Sequence, residues 1–240
     1  MRALGRAVYG LWCWALFVPI AVGALLLALL APTITLRRRI ARAAARGFFV
    51  GAGIRLTILG EELLPAGACV LVANHTSYVD GVIMQAALPP RFAFVIKKEM
   101  AHVPVANLLL RRLGSEFVER FDSNKGAADA RRVLRAAASG QSLAFFPEGT
   151  FTARVGLARF HSGAFVAAHR NQLPLVPTAI RGARRILPPE SGMPRRGAIE
   201  VEFLTPLPVA TPEERDGAVR LRRSARAAIL AKIDEPDLEA

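Results

Sequence analysis

Cysteine is nearly missing from this chain of 240 residues, which has two, Cys13 and Cys69. That excludes a disulfide framework and any zinc site built on paired thiolates, and both residues read as small buried hydrophobes. Histidine is as sparse, with His75, His102, His161 and His169 scattered singly, so no metal-ligand spacing appears. A glycine-rich phosphate loop, an internal repeat and a long low-complexity linker are lacking too. What remains is long enough to bury one substantial core.

Negative charge is also in short supply, with 19 Asp and Glu against 32 Lys and Arg, a net charge of +13. Such a surplus suits nucleic acid, an anionic membrane or anionic substrates. No RNA-binding signature and no basic stretch interleaved with aromatics is present, so nucleic acid is not expected as a partner. The longest absence favours lipid. No charged residue lies between Ala7 and Leu36, whereas a membrane-spanning helix needs about 20 apolar residues.

Arg2 and Arg6 precede that run, and Arg37, Arg38, Arg39, Arg42 and Arg46 follow it. The heavier flank is carboxyl-terminal, so a single span leaves the remainder of the chain on the cytoplasmic side of an inner membrane. A signal peptide starts similarly, but the run is long for one and the arginine cluster resists translocation. Pro19 and Gly23 leave a second arrangement open, a re-entrant hairpin with both ends cytoplasmic. Residues 37–53 set arginines beside alanines ahead of Phe48, Phe49 and Val50. As a helix this stretch can lie on the bilayer with its guanidiniums among lipid phosphates, or connect the apolar run to the domain.

Beyond residue 53 the pattern alternates. Apolar runs at Leu56 to Leu59, Cys69 to Ala73, Phe92 to Ile96, Glu116 to Val118, Leu143 to Phe146, Leu175 to Ile180 and Ile199 to Leu204 predict strands. Helical stretches fall between them, clearest at Lys125 to Ala138 and Gly163 to His169. This predicts an α/β fold, a single domain with a largely parallel mixed sheet covered by helices. The divisions expected are a membrane-associated segment at 1–53, a domain at 54–210 and a last helix and tail at 211–240. Thr211, Pro212 and Glu214 have capping-box spacing, which predicts that this helix starts there and runs to about Ile233.

Two short stretches carry the chemistry. In NHTSYVD, Asn74 to Asp80, a histidine precedes a carboxylate by five residues; FPEGT, Phe146 to Thr150, follows roughly seventy residues later. His75 and Asp80 suit a general base whose ring is fixed by a carboxylate, since imidazole at pH 7 is largely neutral and can accept a proton. Taken alone, the pair reads more readily as a hydrogen-bonded loop after a strand. Both motifs sit at the carboxyl ends of predicted buried strands, where open α/β sheets place their crevices.

Together NHTSYVD and FPEGT resemble the glycerolipid acyltransferase family, whose best-known member is 1-acyl-sn-glycerol-3-phosphate (lysophosphatidate) acyltransferase. FVIKKEM (Phe94 to Met100), GSEFVERFD (Gly114 to Asp122), FHSGAF (Phe160 to Phe165) and PLVPTAIRG (Pro174 to Gly182) agree in order. The resemblance implies a glycerol-3-phosphate acyltransferase-like fold. It also implies transfer of a fatty acyl group from acyl-CoA or acyl carrier protein to a lysophospholipid hydroxyl, with no bound cofactor and no metal. On that footing His75 is the base, Asp80 orients it, and Glu148 with Gly149 positions the acceptor and stabilises the oxyanion. Arg120, Lys97, Thr150 and Arg154 are the implied substrate-binding residues, Arg120 as the phosphate-binding arginine. Where the family form continues FPEGT with Arg-Ser, this chain has Phe151 and Thr152, and His161 stands where lysine is frequent. An acceptor other than lysophosphatidate, such as an ornithine-type lysolipid or lyso-phosphatidylethanolamine, or a non-catalytic lipid-binding role, are the alternatives.

Overall fold

The structure is a computed structural model and describes residues 2–118 and 123–239. Seven strands form one sheet: β1 (Arg55–Leu59), β2 (Val70–Ala73), β3 (Phe92–Lys97), β4 (Glu116–Val118), β5 (Ser142–Phe145), β6 (Leu175–Arg181) and β7 (Ala198–Phe203), in the order β1-β7-β6-β2-β5-β3-β4. From β6 through β4 all neighbours pair in parallel; β7 runs antiparallel to β6, and β1 parallel to β7. Five strands thus end at one edge of the sheet, and the reversed pair β1 and β7 begins there.

Each predicted strand is present within a residue of its expected bounds. The central strands are apolar on both faces because both faces are covered. In β2, Val70 and Val72 join a core with Phe160, Phe165 and Leu221, while Leu71 and Ala73 join another with Phe49, Ile83 and Met84. This two-residue alternation separates the helices into two layers. Helices α1 (Arg2–Leu30), α2 (Ile34–Gly51) and α3 (Asp80–Ala87) serve one face, and α4 (Pro104–Arg112) follows β3. On the other face lie α5 (Ser123–Ala138), α6 (Gly163–Arg170) and α8 (Gly217–Leu230), whereas the short α7 (Ala183–Ile186) after β6 packs into the core of the first face.

The amino-terminal run is one helix, continuous through Pro19 and Gly23, and is long and apolar enough to cross a membrane. The chain reverses instead at residues 31–33, where Thr33 caps α2 by accepting the Leu36 amide at 3.3 Å. The hairpin thus joins α1 to α2 rather than splitting α1. Leu11, Val18, Leu26 and Leu30 of α1 are exposed, Leu30 at 82%. An apolar helix with this much uncovered surface suggests membrane association.

Two expectations are sharpened here. Of the two readings of α2, the packed connecting helix accounts for Arg38, Arg42 and Arg46, which recur every four residues and reach the protein, while Arg39 is exposed. Arg38 is buried and donates to the Leu113 carbonyl at 2.9 Å. Arg42 donates to Ala87 at 3.0 Å, and Arg46 to Ala86 at 2.9 Å. These carbonyls end α3, and cations at a helix carboxyl terminus satisfy them while opposing its dipole. The last helix begins at Gly217 rather than Pro212. Turns at 211–217 use the backbone instead, and Glu214 pairs with Arg220 at 2.5 Å. At Gly217 His169 packs against the chain, so closely that a Cβ there would sit 2.4 Å from Cε1.

Candidate active site

Strand β2 hands over to the loop that carries His75 through Asn74. Its buried side chain donates to the Ile180 carbonyl at 2.9 Å and accepts the Ile180 amide at 2.7 Å, extending the β2–β6 pairing past the end of the ladder. Ser77 anchors the far side of the loop by donating to the Leu187 carbonyl at 2.6 Å. His75 is held between them.

Asp80 opens α3 and its side chain is wholly buried. One oxygen, Oδ2, accepts the amides of Thr76 at 2.6 Å and Ser77 at 2.8 Å and lies 2.9 Å from Nδ1 of His75. An ionised carboxylate only accepts, so Nδ1 carries the imidazole proton and Nε2 keeps a free lone pair. The two loop amides hold Oδ2 in place beside Nδ1. The arrangement gives an imidazole with one tautomer and a fixed ring, which suits a general base.

Aromatic rings enclose it. Phe146 stacks on the imidazole at 4.3 Å between centroids, and Phe151 meets it edge-on at 4.7 Å. Tyr78 stands edge-on to Phe151 at 4.5 Å with 68% of its surface exposed. None of these three was expected as a site residue, although all lie in or beside the two motifs. Their spacing in sequence carried no sign that one imidazole would gather them.

Glu148 takes a different posture from the one expected. It is buried, and both oxygens are occupied by backbone amides, Oε1 by His75 at 2.6 Å and Oε2 by Ala158 at 2.9 Å. Its carboxylate thus braces the backbone at His75 and Ala158. Burial pushes its carboxyl up to about 7; the two amide donors oppose this, and the charges of Asp80 and Glu235 add to it. Gly149, with φ of +82°, closes a turn by donating its amide to the Phe146 carbonyl at 3.0 Å. Glycine suits that left-handed backbone, and an amide so engaged is not a free oxyanion donor.

The implied substrate-binding residues spread out. Lys97 ends β3, half-buried and two strands from β2 in the order β2-β5-β3, roughly 10 Å at ordinary strand spacing. Thr150 and Arg154 are exposed, and their described polar contacts are local: Thr150 Oγ1 donates to the Phe151 carbonyl at 3.4 Å. Arg120 lies outside the described residues. Among the described residues no three His, Cys, Asp or Glu side chains gather as a metal site.

The loop that carries Phe151 is strapped by the chain's last described residues. Gly156 donates to Glu235 at 2.9 Å, Leu157 donates to the Pro236 carbonyl at 2.8 Å, and Leu238 donates back to Leu157 at 3.1 Å. Arg184 grips Glu235 at 2.8 and 3.0 Å while donating to the Thr152 carbonyl at 2.9 Å. Arg226 holds both oxygens of Asp237.

Comparison with known proteins adds the family. The acyltransferase family model matches residues 55–181, more than half of the chain, from the start of β1 to the end of β6. The chain belongs to the acyltransferase family. A 1-acyl-sn-glycerol-3-phosphate acyltransferase of Saccharomyces cerevisiae is 29% identical over 164 residues, covering 65% of this chain and 52% of that one. A chloroplastic 1-acyl-sn-glycerol-3-phosphate acyltransferase of Brassica napus is 30% identical over 153 residues, 62% of this chain and 44% of that one. Lysophosphatidylcholine acyltransferase 1 of Rattus norvegicus is 28% identical over 162 residues, 66% of this chain and 29% of that one. The chain thus spans about half the length, or less, of these curated relatives. Its fold matches the crystal structure of the 1-acyl-sn-glycerophosphate acyltransferase from Thermotoga maritima, with a TM-score of 0.80 over 97% of this chain and 96% of that one at 19% identity. The expected architecture, a mixed sheet covered by helices behind an apolar amino-terminal helix, is the one observed.

Proposed function

We propose that this acyltransferase-family chain moves a fatty acyl group from acyl-CoA or acyl carrier protein to a free hydroxyl of a lysophospholipid. The acceptor favoured is 1-acyl-sn-glycerol 3-phosphate, giving phosphatidate. The observation that carries this reading is the Nδ1 to Asp80 bond of 2.9 Å, which leaves Nε2 of His75 as a proton acceptor. The acceptor hydroxyl gives its proton to Nε2 as its oxygen attacks the thioester carbonyl. The tetrahedral intermediate then expels the thiolate, which takes the proton back from the imidazolium. The C–O bond forms as the C–S bond breaks, and no acyl-enzyme is required. The similarity to proteins named as 1-acyl-sn-glycerol-3-phosphate acyltransferases supports the acceptor.

The seat of the reaction is the cytoplasmic side of an inner membrane, with α1 in the bilayer and the lysolipid supplied from it. The exposed apolar face of α1 and the arginine flank support this. Lys97, together with Arg120, is the candidate grip on the acceptor phosphate. A second reading keeps the chemistry and changes the acceptor to a zwitterionic or less anionic lysolipid. It is favoured by Phe151, an apolar ring where a phosphate-binding cation would otherwise flank the base, and by the similarity to a lysophosphatidylcholine acyltransferase.

The test is mass-spectrometric detection of diacyl products from detergent-purified protein given palmitoyl-CoA or palmitoyl-acyl carrier protein and a panel of lysolipids, with His75→Ala alongside. Product from the wild type alone establishes the transfer and names the acceptor. Equal product from both proteins, or none from either, removes the reading.

A further inference from the structure

Two substrates must converge on Nε2 of His75, and the candidate phosphate grip on the β3 side accounts for only one of them. On the other side of the catalytic loop, where β6 gives way to the reversed strands β7 and β1, a cavity of about 580 Å³ opens. This is within the size range of small-molecule sites. Thr76, the residue after the base, forms part of its wall, and so do Thr57 and Gly182. The cavity therefore adjoins the reacting centre and is separated from Lys97 by the β2-β5-β3 width of the sheet.

Its charge is uneven once the ion pairs are set aside. Arg181 is held by Glu200 and by Glu202, the latter at 2.7 Å, and Arg184 is held by Glu235 at 2.8 Å. The guanidiniums of Arg55 and Arg185 are exposed and make no ion pair among the described residues; Asp234 is the one wall carboxylate in the same condition. Two unspent planar forks beside a polar wall suit a phosphate on a polar chain.

We propose that this cavity receives the phosphate-bearing pantetheine arm of the thioester donor, with Arg55 and Arg185 on its phosphate. The proposal rests on the acyl-transfer reading and deepens it: acceptor and donor approach the base from opposite sides of the β2 loop. Thr76 marks the inner end, where the thioester reaches His75, and the two arginines mark the outer end. The same phosphate terminates the arm in acyl-CoA and in acyl carrier protein, so the site serves either carrier.

Steady-state kinetics on the full-length, detergent-purified protein test this with four donors: palmitoyl-CoA, palmitoyl-acyl carrier protein, palmitoyl-4′-phosphopantetheine and palmitoyl-pantetheine, which lacks phosphate. The double variant Arg55→Ser/Arg185→Ser should raise the KM of the phosphate-bearing donors about tenfold or more. It should leave kcat, the KM of palmitoyl-pantetheine and the KM of the lysolipid within about twofold, and Arg55→Lys/Arg185→Lys should recover part of the loss. An effect on palmitoyl-CoA alone would assign the arginines to its nucleotide phosphates and overturn their assignment to the arm's phosphate. An effect on carrier protein alone would instead mark a protein-docking surface and overturn it. Equal losses on palmitoyl-pantetheine, a raised lysolipid KM with donor KM unchanged, or no change at all would overturn the proposal while acyl transfer by the wild type still stood. A wild type inert with every donor would remove the transfer reading and the proposal with it.

Discussion

The ring of Phe146 lies over the imidazole of His75, 4.3 Å between centroids with the planes 20° apart. A residue from the end of β5 thereby fixes the ring that β2 delivers. The base is clamped from two directions, by the Phe146 ring on its face and by Asp80 at Nδ1.

Replacing His75 by alanine should remove roughly 10²- to 10⁴-fold of kcat, the contribution of a positioned base. The thermal unfolding midpoint should stay close to wild type. Asp80→Asn should also lower kcat by a large factor while leaving the donor KM little changed, because it disturbs tautomer and orientation rather than binding. A loss confined to KM would contradict the dyad.

Phe151→Ala should open the edge of the imidazole to water. Without acceptor, palmitoyl-CoA hydrolysis should rise severalfold, and with acceptor the ratio of hydrolysis to transfer should rise with it. Free thiol release and diacyl product, followed together, measure this ratio. An unchanged ratio would mean that Phe151 shields nothing.

Glu148 binds its proton more tightly in the folded chain, at about 7 against 4.5. Between those pH values the unfolded chain holds fewer protons, so stability falls as pH rises through the window and the full cost applies above about pH 7. The size is roughly 3 kcal/mol. Glu148→Gln should flatten that part of the pH profile of thermal unfolding. It should also lower kcat, because its amide nitrogen cannot accept one of the two backbone amides that Glu148 receives.

Arg42→Ala should destabilise the fold by roughly 1.5–3 kcal/mol, the range for hydrogen bonds to charged groups. Adding Arg46→Ala should cost less than a second full increment, since both arginines serve the end of α3 and share the Ala86 carbonyl. Denaturation of the two single variants and the double variant measures the coupling.

Strands were legible because their signal is local and redundant: VLVA in β2 is apolar at every position, as a strand buried on both faces must be. The dyad was legible for a related reason, since His75 and Asp80 lie five residues apart at one strand end. What escaped depended on contacts across the sheet. Glu148 looks like a free acid in sequence, and only the fold brings the His75 and Ala158 amides to its two oxygens. The arginine row of α2 reads as a surface in one dimension, yet α3 sets its unsatisfied carbonyls opposite. Phe151 was noted for the cation it displaces, and its contact with the imidazole is made across the sheet from a loop held at Gly156 and Leu157 by residues 235–238.

The arginine fastening between α2 and α3 also acts as a ruler. From the carbonyls gripped by Arg42 and Arg46 to Asp80 is one helix of 8 residues, about 12 Å along its axis. That short rod sets one constant spacing between the helix that follows α1 and the loop that carries His75, whichever molecule occupies the site.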